Sequence, residues 1–152
     1  MTTFKIKLVS QTNAAILILA LMTIFFVSRR VFFPPEVSSI VSILMISFWI
    51  ATTYLLWQQF VTGRTEWTID ETGITINWTK KFAWIPGDNV NLSWTEIEDI
   101  SKGPDPQYYT LRIKLISGKT IKYYHDTLTT GDDFGELIKV LFQAMSDKKS
   151  KV

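Results

Sequence analysis

The sequence contains no cysteine and a single histidine, His125. The first absence excludes disulfides and thiolate chemistry, and the second leaves little for a metal centre or a histidine base. There is no Gly-rich phosphate loop, no serine-nucleophile turn and no zinc-ligand spacing. Catalysis is therefore not expected, and no cofactor or metal is implied. Internal repeats and low-complexity tracts are also missing. The most informative absence is that of charge from two long stretches, Ala14 to Val27 and Ile40 to Trp57.

A helix needs about 20 residues to cross a bilayer core, with a range of roughly 17–25. The second stretch reaches that length directly. The first reaches it if its helix continues to Phe33, with Arg29 and Arg30 snorkelling toward headgroups near its end. Pro34 and Pro35 stop that helix, because the residue before a proline is pushed out of the α region. Glu36 then suits the dipole of the next helix. Tyr54 and Trp57 stand where an interfacial aromatic belt is expected, and Trp49, mid-run, is expected to pack on the first helix or a partner helix. The reading is a transmembrane hairpin over 13–60, with crossings at about 13–33 and 37–60.

The net charge of +2 divides unevenly. Lys5, Lys7, Arg29 and Arg30 against Glu36 give +3 for residues 1–61, whereas 12 basic and 13 acidic side chains give −1 for residues 62–152. The basic excess belongs to the membrane part and does not point to nucleic acid. Lys5 and Lys7 before an apolar run could open a signal peptide, but Ser28-Arg29-Arg30-Val31-Phe32-Phe33 offers no small-x-small cleavage pattern. A retained signal-anchor is the better reading. Two crossings put both termini on one side, and the positive residues flanking the hairpin favour the cytoplasm.

Thr2 to Leu8 alternates apolar and polar, the mark of a half-buried strand. A lone strand is unstable, so residues 1–10 are expected to pair with an edge of the downstream sheet, the other reading being a tail. Strand alternation also marks Glu66 to Ile69, Ile74 to Thr79 and Val90 to Trp94, and Lys80 to Trp84 is a further candidate. Asp70-Glu71-Thr72-Gly73 forms an even-numbered hairpin loop in which Gly73 suits a positive φ. Tyr109 to Leu115 and Thr120 to Tyr124 form another hairpin, its three-residue loop placed at Ser117-Gly118-Lys119. Phe134, Leu137, Ile138, Leu141, Phe142 and Met145 fall on one helix face, capped by Gly131-Asp132-Asp133. The soluble domain thus spans 64–146, and 147–152 is a basic tail.

About six to seven short strands closed by one amphipathic helix resemble a pleckstrin-homology-like (PH-like) barrel or sandwich, making the chain an α+β membrane protein. The closer resemblance is to small bacterial membrane proteins carrying a transmembrane hairpin and a bacterial PH-like domain. Three phrases carry it: Trp67-Thr-Ile-Asp-Glu-Thr-Gly-Ile74, Leu92-Ser-Trp-Thr-Glu-Ile-Glu-Asp-Ile100, and Tyr109-Thr-Leu-Arg-Ile-Lys-Leu-Ile-Ser-Gly-Lys-Thr-Ile121. The resemblance implies a membrane-tethered binding or assembly module in a bacterial cytoplasmic membrane.

His125-Asp126 with Asp132 and Asp133 could suggest a metal or acid–base site, yet the spacing supplies no further ligand; a strand end followed by a helix cap explains the same residues. Arg112, Lys114 and Lys122 share an outward face, and the loop placement sets Lys114 opposite Lys122. Opposed like charges are mildly destabilising, so this face is the candidate site for anionic lipid or an acidic partner; the plainer reading is a solvated face. Trp84 is a candidate exposed anchor. The expected partners are the bilayer and another protein, with a second copy of the chain as a further candidate. An immunity or inhibitor protein against a toxin, or an accessory subunit of a membrane complex, is the alternative function.

Overall fold

Residues 1–32, 39–84, 87–104, 108–126 and 131–150 are described by the computed structural model. They form seven strands and three α-helices: β1 (Thr2–Val9), α1 (Gln11–Phe32), α2 (Ser39–Leu56), β2 (Thr62–Ile69), β3 (Gly73–Lys80), β4 (Val90–Ser93), β5 (Ile97–Pro104), β6 (Tyr108–Leu115), β7 (Thr120–Asp126) and α3 (Phe134–Ser150). The chain divides into two compact units: the sheet with α3, built from residues 1–9, 63–81 and 86–152, and the helical hairpin, residues 10–62 with 82–85.

Within the first unit the strands make one antiparallel sheet in the order β4-β3-β2-β1-β7-β6-β5. The N-terminal alternation becomes β1 because Phe4, Ile6 and Leu8 all point into the core, each at most 4% exposed. The strand does not join an edge as the sequence suggested. It is the central strand, linking the meander β2–β4 to the meander β5–β7. The sheet is also not closed into a barrel. Yet β4 and β5, its two edges, are joined by only Trp94-Thr95-Glu96, a span of at most about 14 Å at roughly 3.5 Å per residue. The sheet therefore curls until its edges approach at that corner. Lys148 sits there, donating to the carbonyls of Trp94 (2.5 Å) and Ile97 (2.7 Å). These bonds explain why α3 runs to Ser150 instead of fraying into a tail at residue 147.

The core collects the inward positions of every strand and one stripe of α3. Trp67, Ile74, Ile76, Ile97, Leu111, Ile113, Leu137 and Leu141 are fully buried. Trp67 meets Tyr123 edge-on at 4.9 Å and donates its indole N–H to Thr65 Oγ1 at 2.9 Å. Five of the six apolar residues assigned to the helix face are buried; Phe142 is 40% exposed.

Two glycines act differently from expectation. Ile69 pairs with Ile74 around a four-residue loop, which the Asp70 carboxylate closes by accepting bonds from Thr72 Oγ1 and the N–H groups of Thr72 and Gly73. Those bonds, the Thr72 hydroxyl foremost, hold the Asp70 carboxyl below its ordinary range. Gly73 does not take a positive φ. It is needed because β4 passes so close that a Cβ would lie 2.0 Å from the Leu92 carbonyl oxygen. In the β6–β7 hairpin the loop has three residues, but they are Ile116-Ser117-Gly118. Leu115 N–H bonds Lys119 C=O at 2.8 Å, and Gly118 takes φ +83°. The left-handed glycine fits the last loop position, which moves the register: Arg112 faces Lys122, and Lys114 faces Thr120. The expected Lys114–Lys122 opposition is thereby replaced. The candidate strand at 80–84 is absent as well, since β3 ends at Lys80.

In the second unit, two helices are long and apolar enough to cross a membrane, over Gln11–Ser28 and Ser39–Val61. None of the residues of α2 is buried, and Phe25 meets Trp49 edge-on at 6.2 Å. α2 ends in a π-helical turn, Trp57–Val61, which frees carbonyls that the start of α1 takes up. Asn13 Nδ2 donates to Phe60 O (3.0 Å) and Ser10 N–H to Val61 O (3.1 Å). Trp84 is 44% exposed and stacks on Phe60 at 5.0 Å. Tyr54 is exposed and Trp57 opens the π turn. Arg29 and Arg30 lie in the last turns of α1, and their side chains fall outside the described residues, as do Pro34, Pro35 and Glu36.

Candidate functional site

Alternation fixes which side chains leave the core. With Leu111, Ile113 and Tyr123 inside, Arg112 and Lys114 of β6 and Lys122 of β7 must stand on the opposite, outward face. The same argument applied to β1 and β2 adds Lys5, Lys7 and Arg64 to that face. Sequence reasoning missed these three as site residues because only the strand order makes β1 the neighbour of β7.

Two of the six cations are compensated. Lys114 Nζ lies 2.6 Å from Glu98 Oε1, and Lys5 Nζ lies 4.0 Å from Glu66 Oε1. Both pairs are largely exposed, a setting in which an ion pair contributes only about 0–1 kcal/mol. Arg112 and Lys122 are directly opposed in the ladder, exposed, and have no ion pair among the described residues. The Arg112 guanidinium instead lies over Gly103, with Nη2 3.5 Å from where a side chain would begin. At the β1–β2 end of the face is an open cleft of about 370 Å³, lined among others by Lys5, Lys7, Arg64, Glu66, Thr79 and Asp132.

The histidine and aspartates do come together, in a different role from a ligand set. His125 Nε2 lies 2.9 Å from Asp132 Oδ2, and its ring stacks on Phe134 at 4.0 Å. Asp132 Oδ2 also accepts the Lys7 N–H (3.0 Å), and Asp133 Oδ2 accepts the Lys5 N–H (2.8 Å). Asp133 N–H returns a bond to Lys5 C=O. The aspartates thus replace a strand beside β1 just before α3 begins. Burial pushes the Asp132 carboxyl up, but bonds from His125 and the Lys7 N–H, with the histidine's charge, outweigh it and hold the group below its ordinary value. Among the described residues no group of three or more His, Asp or Glu side chains could hold a metal ion. The side chain of Asp126 lies outside them.

Comparison of the chain with protein-family models, with curated proteins and with solved structures gives no match.

Proposed function

We propose that this chain is a membrane-anchored, non-catalytic binding module of PH-like architecture. It works at the cytoplasmic face of a bacterial membrane and presents the outward face of its sheet to an anionic surface. The carrying observation is Arg112 facing Lys122 with no carboxylate partner among the described residues, on a face shared with Lys5, Lys7, Arg64 and Lys114. A directly opposed like-charged pair costs stability in an isolated protein, and an anionic surface removes that cost. The PH-like reading is supported by two antiparallel meanders joined through β1 and by one C-terminal helix on the apolar side. Membrane anchorage is supported by the two apolar helices, which are inserted in the chain between β1 and β2.

The test uses the full chain in zwitterionic nanodiscs, mixed with phosphatidylglycerol-containing liposomes or with pure phosphatidylcholine liposomes. A basic residue near an anionic surface contributes about 1 kcal/mol. Arg112→Glu with Lys122→Glu should therefore lower binding to the anionic liposomes by at least about tenfold and leave the neutral ones unaffected. Equal binding of the variant and the unchanged chain would overturn the proposal.

A further inference from the structure

The sheet ends at β5, and the direction of the main-chain groups along that strand can be derived. Ile116 N–H bonds Glu96 C=O on the β5 side, whereas Leu115 N–H bonds Lys119 C=O on the β7 side. Alternation in an antiparallel ladder then turns Lys114, Arg112 and Thr110 toward β5, where they meet Asp99, Ser101 and Gly103. It follows that the N–H and C=O of Ile100 and Lys102 point away from the sheet, along its free edge. The carbonyl of Ile97 also points outward, and Lys148 occupies it. At the other end Pro104 has no N–H to offer. Between these two stops, no described strand pairs with the edge.

Two cations flank this opening from opposite faces. On the outward face the Arg112 guanidinium reaches across Gly103, onto the edge strand itself. On the other face Lys102 holds its ammonium 4.1 Å from the centre of the Tyr109 ring. Neither has a carboxylate partner among the described residues. An extended segment adding as an eighth strand would bond the main chain of Ile100 and Lys102, and its successive side chains would point to alternate faces. An acidic residue on each face would then meet Arg112 and Lys102 in turn.

We infer that the free edge of β5 is a docking site for an extended acidic segment of a partner protein, recognised by main-chain pairing at Ile100 and Lys102 and by charge pairing with Arg112 and Lys102. This site shares Arg112 with the outward face and rests on that reading of the face only for that residue; its main-chain hydrogen bonds, which lie in the plane of the sheet, and Lys102 distinguish it from lipid binding.

The probe is a fluorescent, end-capped peptide of repeating Glu-Glu-Val-Val, which places glutamate on both faces of an extended strand, with a Lys-Lys-Val-Val peptide as control. Both are titrated by anisotropy against the full chain in zwitterionic nanodiscs. The glutamate peptide should bind and the lysine peptide should not. Lys102→Pro, read against Lys102→Ala to discount the lost ammonium, removes an edge N–H without touching the β6 ladder and should weaken binding roughly tenfold further. Lys102→Glu with Arg112→Glu keeps the main chain intact and should weaken it by at least about tenfold; a cooperative tryptophan-fluorescence melt for each variant confirms folding. Lys122→Glu, on the lipid-facing surface alone, should leave peptide binding within about twofold. Equal binding of both peptides, binding by Lys102→Pro equal to that by Lys102→Ala, or full binding by the double variant, would overturn the inference. So would self-association of the chain abolished by Lys102→Pro, which assigns the edge to a second copy, or liposome binding that depends on the Lys102 N–H, which assigns it to lipid.

Discussion

Removing the contribution of β1 should destabilise the sheet far more than its terminal position suggests. Ile6 is 1% exposed, on the central strand. Its neighbours on the same side, Phe4 and Leu8, are also buried. Ile6→Ala deletes three buried carbons and leaves a cavity that a strand held on both sides cannot close easily. Such changes cost about 2–5 kcal/mol, against a whole-domain stability of roughly 5–15 kcal/mol. At about 4–8 °C per kcal/mol for a domain of this size, the melting midpoint should fall by roughly 10 °C or more. Lys5→Ala, one position away but facing outward with a weak ion pair, should change stability by less than about 0.5 kcal/mol. The assay is thermal unfolding of the full chain in mild detergent, followed by near-ultraviolet circular dichroism of the sheet's tryptophans. If Ile6→Ala melts with the unchanged chain, β1 is a dispensable appendage and the strand order is wrong. Deleting residues 1–9 is the harsher form of the test and should abolish the cooperative transition.

Other consequences concern single groups. Burial pushes the Tyr123 phenol up to about 12. Its folded value is raised, so the stability it contributes is intact below about pH 10 and is lost as pH rises through 10 toward 12, about 2–3 kcal/mol in all. Tyr123→Phe should flatten that alkaline decline in a series of melts. Asp132 behaves oppositely: its folded value is lowered, so its contribution is intact above about pH 4 and is lost as pH falls below that. Asp132→Asn should lower stability at neutral pH and reduce its acid dependence, measured by denaturant titration at each pH. Gly118 takes φ +83° with open space around it, so Gly118→Ala should cost only the backbone strain, about 1–2 kcal/mol. Gly73→Ala must displace β4 and should cost more; comparing their denaturant midpoints tests the distinction.

Much of the fold was legible because strand alternation is a local signal. Phe4, Ile6 and Leu8, or Leu111 and Ile113, declare their inward face without reference to anything distant. What was not legible depended on contacts between remote segments. Nothing near Thr2–Val9 says that β2 and β7 flank it; that follows only from the full strand order. The role of Gly73 was misjudged because its constraint comes from Leu92 on another strand, not from its own φ. The β6–β7 register turned on which loop position Gly118 occupies, and a shift of one loop residue changed the partner of Lys122 from Lys114 to Arg112. Lys148 reads as part of a lysine-rich tail, and only the corner between β4 and β5 supplies the carbonyls that hold it. For the candidate surface, Arg112, Lys114 and Lys122 followed from one hairpin, whereas Lys5, Lys7 and Arg64 required the completed sheet.

In the proposed topology a two-crossing anchor interrupts a sheet whose parts lie together in the cytoplasm. Because the sequence has no cysteine, single cysteines can report it without background. Thr3→Cys, Glu36→Cys and Glu71→Cys are expressed separately and treated with a membrane-impermeant maleimide in intact spheroplasts and after lysis. In that topology Glu36→Cys labels in intact spheroplasts, whereas Thr3→Cys and Glu71→Cys label only after lysis. Protection of all three positions, or labelling of Thr3→Cys on the side opposite to Glu71→Cys, would contradict it.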